Sequence, residues 1–302
     1  MKIRIFIFIL WCLSWLPFRV CSFLGRILGA VLYHLLGRRR RIGEINLRLC
    51  FPNLSEAERT RLLKENFVAM SQMILEYGYC WFTSEQRFRK IVQVTGLEHL
   101  KNAQGRPVIL QMPHFTGLDL AGLRLSLETP VVSIYAKQKD PWLDNFFRSK
   151  RLRFKSGEVF SRQAGIRQSI KAMKKGMSLY YLPDQDHGPL DSVFVNFFGI
   201  PASTLTGPSR LASMMDAVVL PCYPRRTRNG YVVVIEPPMP DFPSGNLQTD
   251  ARHMNAVIER QVMKIPHQYF WLHKRFKTRP QGESDVYAKP VPITGKTVGT
   301  AS

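Results

Sequence analysis

Short apolar runs alternate with longer amphipathic stretches through most of this chain. Runs such as 108–111 and 179–182 have the length and composition of buried strands, and the stretches between such runs carry apolar residues at helical spacing. This alternation predicts an α/β fold with a mixed, largely parallel sheet flanked by helices. The predicted strands are 91–94, 108–111, 131–136, 179–182, 192–198, 217–221 and 231–235. The predicted helices are 55–81, which opens on a Ser-Glu-Ala-Glu capping box, 117–127, 141–152, 163–175, 204–215 and 248–264.

A hydrophobic segment precedes the first predicted helix. Lys2 and Arg4 come before an apolar run over 5–16, and apolar residues resume over 23–36. No small-residue cleavage site follows, which favours an uncleaved membrane anchor over a signal peptide. The first run is shorter than the roughly 20 residues that a span needs, so spanning and lying in the membrane interface both remain open.

Four consecutive arginines, 38–41, follow the hydrophobic segment. By the positive-inside rule they predict a main domain on the cytoplasmic side of the membrane, and a solvated basic turn is the alternative. The predicted organisation is an anchor with a basic flank over 1–41, one domain over 42–280 and a disordered tail over 281–302. The tail lacks periodicity and is rich in Gly, Pro, Thr and Lys.

The charge of the chain indicates acidic partners. Lys and Arg number 43 against 22 Asp and Glu, which gives a formal net charge of +21. Nucleic acid, an anionic membrane and an acidic protein or phosphorylated substrate all fit this charge. An apolar N-terminal segment favours anionic lipid, phosphorylated glycolipid or an acidic carrier protein over nucleic acid. The five cysteines, odd in number and without a C-x-x-C pair, favour a reducing compartment over a disulfide framework or zinc site.

One stretch, 108–121, combines a predicted strand, turn and helix start with two residues suited to acid–base chemistry. His114 follows the strand, and Asp119 comes five residues later. Residues five apart on one helix point in different directions at roughly 100° per residue. We therefore expect His114 on the loop and Asp119 in the first helical turns, where Asp119 could orient the imidazole as a general base. The alternative is structural, because Thr116 and Asp119 fit a capping box.

Two further sets of charged residues are candidates for substrate binding. Asp184 and Asp186 lie just after a predicted strand, where they could bind a divalent metal ion, cap a turn, or position the polar head of a substrate. Arg148, Arg151 and Arg153 could bind phosphate or form a solvated face. The motifs G-x-S-x-G, Walker A, G-x-G-x-x-G and H-E-x-x-H do not occur, so serine nucleophiles, nucleotide hydrolysis and dinucleotide chemistry lose support.

In combination, several segments resemble the bacterial lipid A biosynthesis acyltransferases, the late-acting lauroyl and myristoyl transferases of the H-x-x-x-x-D/E lysophospholipid acyltransferase superfamily. The resemblance covers about residues 17–283, and aspartate at 119 lies within the family pattern. Asn196 departs from it, since proline is expected there, and this bears on local strand geometry. The segments are Asn46-Leu-Arg-Leu-Cys-Phe-Pro52, His114-Phe-Thr-Gly-Leu-Asp119, 148–154, Tyr181-Leu-Pro-Asp-Gln-Asp-His-Gly188, 192–201 and Tyr269-Phe-Trp-Leu-His-Lys-Arg-Phe-Lys-Thr-Arg-Pro280.

The resemblance implies a glycerolipid acyltransferase-like fold and a membrane-anchored transferase. Such an enzyme moves a fatty acyl group from acyl carrier protein to a hydroxyl of a Kdo-bearing lipid A precursor, at the inner face of the inner membrane. His114 and Asp119 would be catalytic, and Arg148, Arg151, Arg153, Asp184 and Asp186 would position substrate. We expect no cofactor, no metal ion and no nucleic acid partner.

Three other functions stay open on the residues alone. An acyltransferase of the same fold could act on another membrane acceptor, such as a lysophospholipid or an amino-acid lipid. A metal-dependent glycosyltransferase could use Asp184 and Asp186. A non-enzymatic basic membrane adaptor would need neither the His114 and Asp119 pair nor the Asp184 and Asp186 pair.

Overall fold

The computed structural model describes residues 2–154, 157–162 and 166–288. Within them, seven strands form one sheet in the order β1-β9-β8-β2-β5-β3-β4, and β6 and β7 form a separate hairpin. All neighbours in the large sheet are parallel except β8 and β9. The strands are β1 (Val92–Thr95), β2 (Val108–Gln111), β3 (Val131–Tyr135), β4 (Gly157–Ser161), β5 (Ser178–Tyr181), β6 (Ser192–Phe197), β7 (Ile200–Leu205), β8 (Val218–Thr227) and β9 (Gly230–Ile235).

Helices cover both faces of the large sheet, which confirms the predicted α/β class. The longest, α4, begins after the predicted capping box, in which the Ser55 side chain accepts from the Glu58 backbone and the Glu58 side chain accepts from the Ser55 backbone. The helices are α1 (Lys2–Trp15), α2 (Phe18–Leu35), α3 (Gly37–Cys50), α4 (Glu56–Phe82), α5 (Glu85–Ile91), α6 (Leu97–Asn102), α7 (Leu118–Leu125), α8 (Pro141–Arg151), α9 (Ile166–Lys174), α10 (Gly207–Met215) and α11 (Leu247–Lys264).

The central strand β2 is buried along its whole length, between β8 and β5. Its apolar run has no polar alternation because parallel strands covered by helices on both faces see no solvent. In the sheet, β3 lies on one side of β2, and β8 and β9 lie on its other side. The direction in which strands follow one another across the sheet therefore reverses at β2. Ligands of open α/β sheets bind at such a switch point, beyond the carboxyl ends of the strands.

The structure contains elements that the sequence prediction lacks. Strands β4 and β7 were not predicted: β4 is a short edge strand, and β7 carries alternating small and polar residues rather than an apolar run. The first residues of the predicted helix 163–175 lie outside the described residues. Within the segment predicted as a tail, Tyr287 is buried and its hydroxyl donates to Asn46 Oδ1. Residues 289–302 of that tail lie outside the described residues.

Candidate active site

The loops that follow β2 and β5 bring His114 and Asp184 together. The two strands are parallel neighbours in which Gln111 pairs with Tyr181, so the residues three positions further along each strand are also level. A proline precedes each of these residues and ends its strand. The segment 268–270 then holds the first loop, because Thr116 N–H donates to the Gln268 carbonyl and His114 accepts from the Phe270 N–H.

The Asp184 carboxylate fixes His114 at two points. Asp184 Oδ2 accepts the His114 backbone N–H at 2.8 Å, and Asp184 Oδ1 lies 2.7 Å from His114 Nδ1. Burial alone would raise the pKa of Asp184, yet the nearby imidazole and the two hydrogen bonds hold that pKa below its ordinary value. An ionised carboxylate can only accept, so Nδ1 carries the proton of that hydrogen bond and Nε2 is left with its lone pair. His114 is thus arranged as a base.

Asp119 has other partners, which corrects the expectation that it orients the imidazole. It lies in the first turn of α7, after Gly117, whose φ of 88° begins the helix without a side-chain cap. The capping role proposed as the alternative is therefore not what the structure shows either. Asp119 Oδ2 accepts from the Tyr77 hydroxyl of α4, and Asp119 Oδ1 lies 3.2 Å from Arg151 Nη2 at the end of α8.

Arg151 and Tyr77 are held by that same carboxylate. The charge of Asp119 raises the pKa of the Arg151 guanidinium, and burial together with Asp119 raises the pKa of the Tyr77 phenol well above its ordinary value. Arg151 also lies over the Tyr135 ring, 5.8 Å from its centroid. The site therefore contains two separate polar units, the His114–Asp184 pair and a unit of Tyr77, Asp119 and Arg151.

Both units border one cavity of about 1170 Å³. His114, Asp119 and Arg151 lie on its wall, and three further basic side chains, Lys150, Arg162 and Arg210, line it as well. Its volume exceeds the range of roughly 300–1,000 Å³ that is usual for small-molecule sites. The rest of the lining is largely apolar and includes Ile74, Leu118, Leu123, Val131, Ile134 and Phe147. Such a cavity suits a long apolar group whose reactive end carries or adjoins negative charge.

Of the five residues predicted to bind substrate, Arg151 is the one that lines this cavity among the described residues. Arg148 is exposed one turn earlier on α8. Arg153 donates to the Thr83 carbonyl at the end of α4 and lies over the Phe154 ring. These positions give Arg148 and Arg153 no contact with the cavity.

The two aspartates of the loop after β5 form hydrogen bonds with other residues of the protein. Asp184 orients His114, as described above. Asp186 accepts from the Gly188 N–H and from the backbone and hydroxyl of Thr278, so it fastens the loop to the C-terminal segment. The two carboxylates therefore have different partners and do not converge on one point, as the alternative of a metal-binding pair would require.

Sequence reasoning missed Tyr77 and misassigned Asp184. Tyr77 lies within the predicted helix 55–81, and nothing in its spacing distinguishes it from the apolar residues around it. For Asp184 a signal existed, because Met-Pro-His114 and Leu-Pro-Asp184 each follow a buried strand. That signal becomes usable once the two strands are known to be neighbours.

Comparison with known proteins identifies the family. The model of the bacterial lipid A biosynthesis acyltransferases matches residues 2–278, nearly the whole described chain. The chain belongs to this family. It is 37% identical to the lipid A biosynthesis lauroyltransferase of Escherichia coli strain K12 over 284 residues, which cover 92% of each chain.

Relatives with different acyl groups in their names are similar to this acyltransferase at nearly the same level. Identity is 36% to the E. coli palmitoleoyltransferase, over 92% of each chain, and 34% to the E. coli myristoyltransferase, over 88% of this chain and 82% of the relative. Overall identity therefore does not select one acyl group.

Proposed function

We propose that this enzyme transfers a fatty acyl chain from an acyl carrier protein thioester to a hydroxyl of a Kdo-bearing lipid A precursor, on the cytoplasmic face of the inner membrane. The observation that carries the proposal is the His114–Asp184 pair at the wall of a long, largely apolar cavity. Membership of the lipid A acyltransferase family supports the acceptor class. The net charge of +21 supports both an acidic carrier protein and a phosphorylated acceptor.

In this mechanism His114 Nε2 removes the proton from the acceptor hydroxyl as the oxygen attacks the thioester carbonyl. The new C–O bond forms, and the C–S bond then breaks. The proton held by the imidazole passes to the leaving thiolate, so the enzyme returns to its starting state. Asp184 stabilises the imidazolium between these steps, because it is buried, ionised and bonded to Nδ1.

Arg151 supplies positive charge on the cavity wall near the base. Asp119 holds the guanidinium on one side, and the Tyr135 ring lies beneath it. A fixed cation in a partly dry site stabilises negative charge better than a solvated one, because no reorganisation is needed when that charge develops. In this proposal Arg151 faces the thioester oxygen or a substrate phosphate, and Asp119 acts through Arg151 as a positioning residue.

This assignment predicts that Asp119 and Arg151 act as one unit. Asp119→Asn and Arg151→Met should each lower kcat/KM by about 10- to 100-fold, the size of one charge-assisted hydrogen bond. The double variant should lose no more than the larger single loss, because each change disables the same cation. Arg148→Met, on the same helix but outside the cavity, is the matched control and should stay within about twofold. Losses that multiply in the double variant would mean that Asp119 works independently of Arg151.

Acyl transfer in mixed micelles tests the function itself. Purified enzyme is incubated with a Kdo-bearing lipid A precursor and a set of acyl carrier protein thioesters, and the mass of the lipid product is measured by mass spectrometry. We expect a mass gain of one acyl chain, with the preferred thioester reporting the length of the cavity. A lysophospholipid and an amino-acid lipid serve as comparison acceptors. Transfer to one of these and not to the lipid A precursor would refute the proposed acceptor.

A further inference from the structure

Large apolar side chains cover the outward faces of α1 and α2. Phe8, Trp15, Phe23, Ile27 and Leu35 are between 50 and 71% exposed, which is unusual for residues of this size in a soluble protein. They belong to two consecutive helices joined by a short turn at Pro17, so they form one continuous surface. Nothing among the described residues covers it.

The opposite face of α2 is fixed to the domain by direct backbone contact. Gly25 and Gly29 lie one turn apart against α4, where a Cβ on Gly25 would come within 2.6 Å of the Gln72 Cα. A Cβ on Gly29 would come within 2.5 Å of the Val68 Cα. Only glycine permits this approach, so the two helices are in contact over their length.

Polar bonds hold the same helix pair. Gln72 Nε2 donates to the Ser22 carbonyl at 2.9 Å, and Arg226 of β8 donates to the Ser22 hydroxyl at 2.7 Å. Arg226 is itself held by Glu76, which is fully buried and also accepts from the Tyr231 hydroxyl. This network ties α2 to α4 and to strands β8 and β9 of the large sheet.

The turn between the two helices is held in the same way. Tyr79 donates its hydroxyl to the Leu16 carbonyl at 2.9 Å, and Arg87 donates to the carbonyls of Ser14 and Leu16. Withdrawing the hairpin from the domain would break these bonds together and would remove the Ser22 hydroxyl from the buried Arg226–Glu76 pair.

These contacts are incompatible with α2 as a transmembrane span. By length and composition its 18 residues could cross a bilayer. A crossing helix would, however, carry Arg26 near its midpoint, exposed, at a cost of about 2.5–3.5 kcal/mol at the bilayer centre. It would also draw α4, with Lys64 and Glu65, toward the hydrocarbon. If α2 instead lies along the membrane plane, Arg26 is at the border of its apolar face.

We propose that α1 and α2 form a monotopic insertion surface that enters one leaflet of an anionic phospholipid bilayer and does not cross it. The apolar faces would sink roughly 5–10 Å into the leaflet. Arg19 and Arg26 lie along one border of the α2 face, and residues 38–41 add four arginines immediately after it. These charges match anionic headgroups at the same level. Trp15 stands at the end of α1, where tryptophan favours the interface.

The insertion surface also forms part of the catalytic cavity. Phe6 of α1 lines the cavity together with Ile74 and Tyr77 of α4, and Arg4 lies over the Trp142 ring at the start of α8. A lipid acceptor held in the leaflet would therefore reach His114 past α1 without leaving the membrane. This last step rests on the proposed function, whereas the insertion itself does not.

Thiol labelling of enzyme bound to preformed vesicles tests the topology. A Cys12→Ser background removes the one exposed cysteine of the described chain, and Arg19→Cys and Arg38→Cys then mark the two ends of α2. With vesicles of phosphatidylethanolamine and phosphatidylglycerol, we expect a membrane-impermeant maleimide added outside to label both ends equally. Lys175→Cys marks the domain side as a control. An end that reacts only after the vesicles are permeabilised would overturn the proposal.

Vesicle flotation tests the surface. Ile27→Asp should lower the vesicle partition coefficient by about tenfold or more, since it removes a buried apolar side chain and adds a charge. Met263→Asp, an equally exposed apolar site on α11, should change it little. Equal binding by both variants would reject the surface. In detergent micelles Ile27→Asp should keep normal acyl transfer. If the unaltered enzyme binds vesicles but shows no acyl transfer, the proposed function is rejected and the insertion surface is not.

Discussion

His114→Ala is expected to lower kcat by about 10²- to 10⁴-fold and to leave KM for the acceptor nearly unchanged. The range is that of a lost general base, and KM is spared because Nε2 acts on the proton of the attacking hydroxyl, not on the parts of the lipid that bind. Steady-state acyl transfer in micelles measures both quantities. Circular dichroism of the variant checks that it is folded.

His187 provides the matched control. Its ring lines the same cavity, so it is a rival candidate for the base. Burial, Arg162 and His114 lower the pKa of His187, which favours the neutral ring, but no described carboxylate holds that ring as Asp184 holds His114. His187→Ala should therefore lower kcat by less than about tenfold. The reverse pattern, with His187 essential and His114 dispensable, would reassign the base.

The fold class was accessible from sequence because its signals are local. Buried strands such as β2 are continuous apolar runs, and the capping box at Ser55 marks the start of α4. Where the local signal is weak, as in β4 and β7, the prediction failed. β4 forms by pairing with β3, which lies some way back in the sequence, and β7 forms by pairing with the adjacent β6, so pairing outweighs local propensity in both.

The site was predicted only in part because its pairings depend on strand order. His114 was identified from its position after β2, but its carboxylate partner is 70 residues away, after β5. The sequence offered Asp119, five residues away, as the nearer choice. Local proximity favoured the wrong aspartate, since α7 turns its first residues toward Tyr77 and Arg151. Of the three arginines named from sequence, Arg151 lines the cavity, and spacing alone could not separate it from Arg148 and Arg153.

The ionised state of Asp184 also links the site to pH. Because the folded protein lowers the pKa of this carboxyl, the unfolded chain binds its proton more readily. The pair therefore stabilises the fold above the ordinary pKa of an aspartate, and that contribution is lost as the pH falls through the lowered pKa. Asp184 and His114 thus contribute to the stability of the loop as well as to catalysis.

Asp184→Asn is expected to lower kcat by roughly 10⁴-fold, by reversing the imidazole tautomer. One carboxylate oxygen accepts the His114 backbone N–H and the other faces Nδ1. An asparagine has one oxygen, and the backbone N–H can be satisfied only by that oxygen. Its amino group must then face Nδ1 as a donor, which moves the ring proton to Nε2 and leaves no base on the cavity side.

Asp186→Asn separates this tautomer effect from damage to the loop. It makes the same chemical change two residues away, at a buried carboxylate whose partners are Gly188 and Thr278. That variant should lose stability, seen as a lower Tm, yet keep most of its turnover at temperatures where it is folded. At temperatures where both variants are folded, Asp184→Asn should lose far more turnover than Asp186→Asn, because it alone changes the tautomer of His114. Comparable turnover losses in the two variants would reduce Asp184 to a structural residue and leave the orientation of His114 to another group.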